Sequence, residues 1–131
     1  MTAADSLQVA CAIIERDGLV LAVQRSDRMR LPLKWEFPGG KIHPGESAAG
    51  CLARELREEL GVEVHIGAAL PAFRHDYPGF SVTLHPFRCT LASDSITLHE
   101  HKALRWMRPE ELLTLDWAEA DIPLIDHYRS F

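Results

Sequence analysis

The sequence predicts an α/β (α+β) domain in which a mixed β-sheet lies between helices. Three observations point there. Strand-like runs outnumber helical ones, they do not alternate regularly with helices, and 131 residues suffice for one core. The expected domain spans residues 1–131, with no internal repeat, low-complexity tract or linker.

Leu7 to Glu15 is rich in Val, Ile and Ala and reads as a strand. Asp17-Gly18 is a tight-turn pair, so Leu19 to Gln24 returns as the second strand of a hairpin. Arg25 to Lys34 is polar and basic with a proline, hence a loop. Trp35-Glu36-Phe37 alternates as a strand, and Pro38-Gly39-Gly40 is expected to break it and turn the chain. Ser47 is the expected N-cap of a helix to Leu60, with Gly61 as its left-handed end. Ala49, Leu52, Ala53, Leu56 and Leu60 form that helix's apolar stripe. Val62–Ile66, Ala69–Phe73 and Phe80–Leu91 read as strands, with a turn at Tyr77-Pro78-Gly79. Ala103–Met107 is a short strand, Pro109 opens a brief helical turn, and Ile122–Tyr128 begins the last helix with Pro123 near its start.

Apolar residues make up 47% and charged residues 25%, as in a water-soluble domain, and the formal net charge is −5. An acidic balance argues against a nucleic-acid polymer or an anionic membrane as partner. MTAADSLQV lacks a basic region leading into a long apolar run, and Val9–Ile14 is too short to span a bilayer. A cytoplasmic location is expected, as a monomer with a dimer left open. Cys11, Cys51 and Cys89 form no close pair and are expected as reduced core thiols.

The chemistry concentrates in GKIHPGESAAGCLARELREELGV, residues 40 to 62. Glu55, Glu58 and Glu59 stand at i, i+3 and i+4, within roughly 100° of one another on a helix. Like charges at that spacing repel, and helix stability does not ask for them. A hard divalent cation does, because it takes carboxylate oxygens and leaves positions for water and phosphate. The apolar stripe is centred roughly 100° from the acids, so the helix can bury one flank and hold carboxylates at a cleft edge.

Gly40, Glu46, Arg54, Glu55, Leu56, Glu58, Glu59, Gly61 and Val62 fill every specified position of the signature of the Nudix hydrolases, a family this chain therefore resembles. WEFPGGK before the box, and EHKALRW and ADIPLI after it, resemble the MutT-like branch and its CTP-hydrolysing relatives. The resemblance implies the Nudix α/β/α sandwich. It also implies Mg²⁺-dependent attack of water at the β-phosphorus of a nucleoside triphosphate, giving a nucleoside monophosphate and pyrophosphate, with Mn²⁺ as a substitute ion. Expected substrates are oxidised or noncanonical (d)NTPs such as 8-oxo-dGTP, or (d)CTP and its modified forms.

Glu58 and Glu59 are expected metal ligands, and Glu55 either a third ligand or the base. Arg54 would orient the cluster. The resemblance adds a Gly39 carbonyl and Glu100 to the metal set, with Gly40 and Glu46 supporting the box. It makes Arg25 and Lys41 phosphate ligands and Asp121 the reader of the base. Trp35 is expected in the core rather than as a stacking platform. The histidines of His99-Glu100-His101 are expected on a surface loop, because they lack a second ligand group at zinc spacing. A carboxylate at Asp121 suits the donor edge of a guanine-type base. It meets an acceptor nitrogen on cytosine unless one partner carries a proton. The alternatives are a Nudix hydrolase of ADP-ribose or another nucleoside diphosphate derivative, and a noncatalytic nucleotide-sensing module. The first is disfavoured by the short chain and the second by the complete set of acids.

Overall fold

The computed structural model describes residues 5–130, so the first four residues of the N-terminal stretch and both ends of the expected domain lie outside the described residues. Strand β1 (Asp5–Arg16) is the spine. Asp17 (φ 53°) and Gly18 (φ 77°) both take the left-handed conformation, the backbone of a two-residue turn whose twist matches paired strands. The turn leads into β2 (Leu19–Gln24), with Glu15 opposite Val20. On its other edge β1 runs parallel to β7 (Phe80–Leu91), from Asp5 opposite Phe80 to Ile14 opposite Cys89. A mixed sheet results, in the order β3-β2-β1-β7-β5, where β3 is Trp35–Glu36 and β5 is Val64–Ala69. Strand β8 (Ala103–Met107) pairs with the other edge of β2.

The strict alternation of β1 divides the core in two. Cys11 and Ile13 face a cluster with Phe37, Trp117, Leu124 and Ile125, under helix α2 (Ile122–Arg129). Ala10, Ala12 and Ile14 face Leu52, Leu56 and Leu60 of helix α1 (Ala48–Leu60). One helix therefore covers each face, the expected α/β/α sandwich. Trp35 is buried in the first cluster, and all three cysteines are buried and free. None of the described helices is long and apolar enough to cross a membrane.

Two sequence expectations need correction. Gly39-Gly40 is not a turn but part of strand β4 (Gly39–Lys41), antiparallel to β1 with Gly39 opposite Cys11. Missing side chains make this possible: a Cβ on Gly39 would stand 1.9 Å from the Ala10 carbonyl oxygen. The strands expected at Val62–Ile66 and Ala69–Phe73 lie later, as β5 and as β6 (Phe73–Tyr77), both antiparallel to β7. Strand β5 is mostly exposed and breaks register between Ile66 and Ala69, so it carries little apolar alternation to read.

Leu56 is fully buried between α1 and the sheet. Leu56→Ala should cost about 2–5 kcal/mol, the usual range for a buried leucine truncated to alanine, read as a lower denaturant midpoint with unchanged slope.

Candidate active site

Helix α1 is fixed at both ends before it presents any acid. Ser47 Oγ accepts the Gly50 N–H at 3.0 Å, and Gly61 (φ 64°) ends the helix in the left-handed conformation. With Leu52, Leu56 and Leu60 against the sheet, Glu55 and Glu59 are turned toward β4. The Glu55 carboxyl packs directly on Gly40, where an added Cβ would lie 2.2 Å from the Glu55 carboxyl carbon.

Arg54 gathers the acids on the outer side. Its Nε and Nη2 donate to the two oxygens of Glu46 at 2.7 and 2.9 Å, and Nη1 donates to Glu55 at 2.9 Å. Nη1 also reaches Glu58 at 3.3 Å. The Arg54 fork, helped by the His43 backbone N–H, holds the Glu46 carboxyl down to about 2. Glu46 thus stays ionised and anchors Arg54. Glu58 remains largely exposed at the rim.

Glu59 is the buried member of the set. Burial, then the charges of Glu55, Glu36 and Glu100, pushes its carboxyl up to about 9. Its Oε2 is buried without a hydrogen-bond partner among the described residues. Glu100 arrives from a loop docked on the C-terminal end of α1, where the Thr97 N–H donates to the Leu60 carbonyl (2.9 Å) and the His99 N–H to that of Glu59 (3.1 Å). An orphaned buried carboxylate oxygen among acids is the arrangement a hard cation would satisfy. The donor set is oxygen only, which fits a divalent cation of the magnesium type. Among the described residues, no group of three or more His, Cys, Asp or Glu side chains is already placed to hold a metal ion.

Glu55, Glu59 and Glu100 line a cleft of about 520 Å³, together with Gly39, Gly40 and Lys41. Arg25, Glu36, His101 and Asp121 line the same cleft. Arg25 Nη1 donates to Glu36 Oε1 at 2.8 Å, and the other Glu36 oxygen hydrogen-bonds His101 Nε2 at 2.8 Å. Asp121 is buried and its Oδ2 accepts the Phe37 N–H at 2.9 Å. Burial, then the Glu36 charge, pushes the Asp121 carboxyl up to about 8, against lowering by the Phe37 N–H and by Arg25. Burial first, with the charge of Asp121 adding to it, raises the Cys11 thiol and the Tyr77 phenol.

Of the residues singled out from the sequence, Gly39, Gly40, Lys41, Glu55, Glu59, Glu100, Arg25 and Asp121 meet on this cleft. Arg54, Glu46 and Glu58 form the supporting rim behind it. His99 is exposed as expected, but His101 is a correction: its side chain is 1% exposed and tied to Glu36. Sequence reasoning missed Glu36 as well. The available signal was an acid between two aromatics, Trp35 and Phe37, that are both buried.

Residues 6–128 match the NUDIX domain family model. The chain belongs to the Nudix family. Its Nudix relatives include the CTP pyrophosphohydrolase of Escherichia coli K12, 41% identical over 124 residues that cover 95% of this chain and 92% of that protein. The 8-oxo-dGTP diphosphatase of Proteus vulgaris is 34% identical over 92 residues, 70% of this chain and 82% of the relative. The solution structure of the E. coli ORF135 protein superimposes with a TM-score of 0.83 at 39% identity, covering 97% of this chain and 91% of that one. The fold, the mixed sheet between helices, is that of the Nudix hydrolases.

Proposed function

We propose that this Nudix hydrolase is a Mg²⁺-dependent nucleoside triphosphate pyrophosphohydrolase that releases a nucleoside monophosphate and pyrophosphate. The observation that carries the reading is the orphaned Glu59 oxygen among Glu55, Glu36 and Glu100, in a cleft that Gly39, Gly40 and Asp121 also line. When bound, the cation neutralises phosphate oxygens and activates water. Glu59, Glu55, Glu100 and the Gly39 carbonyl would hold it from within the cleft, and Glu58 from the rim. Arg54 aims the carboxylates, and Glu46 aims Arg54. Arg25, steadied by Glu36, and the exposed Lys41 bind the phosphate chain.

The base follows from the state of Asp121. Burial raises the carboxyl to about 8, which shifts it toward the protonated form. Oδ2 accepts from Phe37, which leaves Oδ1 to carry that proton and donate. A donor suits the acceptor ring nitrogen of cytosine, whereas the ring N–H of a guanine-type base needs the ionised form. Cytosine-type triphosphates are therefore the proposed preference near pH 7, in keeping with the name of the 41% identical relative. Oxidised guanine triphosphates gain as pH rises.

A panel of dCTP, 5-methyl-dCTP, 8-oxo-dGTP and ADP-ribose, assayed with Mg²⁺ across pH 6–9, tests both parts. The kcat/KM ratio of dCTP to 8-oxo-dGTP should fall as pH passes about 8, and in Asp121→Asn it should stay flat. A flat ratio in the wild type would mean that the base is read elsewhere. Stability gives a second reading. A carboxyl whose folded pKa is raised leaves the protein most stable below the unfolded value, with stability lost as pH rises toward the folded one. Between about pH 4 and 8 Asp121 therefore costs up to about 1.4 kcal/mol per pH unit, so Asp121→Asn should show a shallower fall that keeps the share due to Glu59.

A further inference from the structure

The end of the cleft near Asp121 contains an aromatic stack that the phosphate chemistry does not use. Phe80 lies on Tyr77 with ring centroids 4.9 Å apart and planes 17° apart. Tyr77 is held in place because its hydroxyl accepts the Ala120 N–H at 2.9 Å, one residue before Asp121. The stack and the base-reading carboxyl are thus parts of one rigid corner, and all of them line the cleft. Phe80 carries the Arg30 guanidinium over its ring, 4.4 Å from the centroid.

Arg30 comes from the basic segment between β2 and β3. Its carbonyl accepts from Arg25 Nε at 2.6 Å, so the phosphate-binding candidate and the strap bearing Arg30 are directly joined. Beyond it, Leu31 (φ 52°) and Leu33 (φ 64°) both sit in the left-handed region, which leucine adopts only under constraint. The Lys34–Asp116 ion pair at 2.8 Å pins the far end of the strap. The segment is bent so that a planar cation rests on an aromatic face inside the cleft.

We infer that Phe80 is the stacking platform for the substrate base and that Arg30 is the movable cover of that platform, displaced when the base arrives. The inference rests on the nucleotide reading above and names the residues that hold its base. A guanidinium at 4.4 Å leaves no room for a ring between it and Phe80, so base and Arg30 compete for one surface. Cation–π contact and base stacking are of comparable strength, which makes the exchange nearly balanced and reversible. Because Arg25 holds the Arg30 carbonyl, engaging Arg25 with phosphate would loosen the strap at the moment the base needs the ring.

Affinities of a nonhydrolysable α,β-methylene dCTP and of inorganic tripolyphosphate, both with Mg²⁺, test this by titration calorimetry on wild type, Phe80→Leu and Arg30→Ala. The ratio of nucleotide to tripolyphosphate affinity removes the effect of lost charge. That ratio should fall about tenfold in Phe80→Leu, whose tripolyphosphate binding doubles as a control for folding, and rise about threefold in Arg30→Ala. An unchanged ratio in Phe80→Leu overturns the platform. An unchanged or lowered ratio in Arg30→Ala overturns the cover and makes Arg30 a phosphate or base ligand instead. A wild type that binds tripolyphosphate but gains nothing from the base overturns this inference and leaves the phosphate site standing. A wild type that binds neither overturns the nucleotide reading itself.

Discussion

Glu59→Gln lowers kcat on the order of a thousandfold and leaves the fold in place. The size follows from the position of the group. Glu59 is the buried acid around which Glu55, Glu36 and Glu100 converge, and its Oε2 has no partner among the described residues. Losing a carboxylate that a bound cation would hold ionised removes stabilisation worth about 4 kcal/mol at a thousandfold. Glutamine keeps the shape and places no charge in the core, so the packing of α1 on the sheet survives. Two measurements check it together: pyrophosphate release under saturating Mg²⁺, and Mg²⁺ affinity by calorimetry. Near wild-type turnover, or unchanged Mg²⁺ affinity, would remove Glu59 from the metal site. Glu58→Gln should cost much less, because Glu58 is exposed at the rim and shares Arg54 with Glu46 and Glu55.

The parts of this molecule with strong local chemistry were legible in the sequence. Helix α1 announced itself through Ser47, Gly61 and its leucine stripe, and the first hairpin through Asp17-Gly18. The carboxylate cluster followed from helical periodicity alone. What was not legible depended on contacts distant in sequence. Gly39-Gly40 carries every mark of a turn, and only its apposition to Ala10 and Cys11 makes it a strand. His101 reads as a loop residue until Glu36, far earlier in the chain, takes its ring nitrogen. Strand β5 lacks apolar alternation because most of its side chains face solvent. The charge state of Asp121 was likewise hidden, since its burial and its bond from the Phe37 N–H depend on residues as far as 84 positions away in the chain.

Gly40→Ala should lower kcat about a hundredfold while thermal stability changes little, the loss expected when a reacting group is displaced by about 1 Å. The added Cβ would fall 2.2 Å from the Glu55 carboxyl carbon and 2.4 Å from its Oε2, so something must move. What moves is the end of a flexible side chain, so the fold is spared. Glu55 then leaves its place, and the 2.9 Å bond from Arg54 with it. At Gly39 the same substitution meets the Ala10 carbonyl at 1.9 Å, part of the backbone of β1, which cannot yield. Gly39→Ala should therefore detach β4 and leave little soluble protein. Two adjacent glycines would thus separate chemistry from folding. A double-mutant cycle sharpens the test: with Glu55→Ala already in place, Gly40→Ala has nothing left to strike and should cost almost nothing more. Losses that simply add would show that Gly40 acts through the backbone of β4 and not through Glu55.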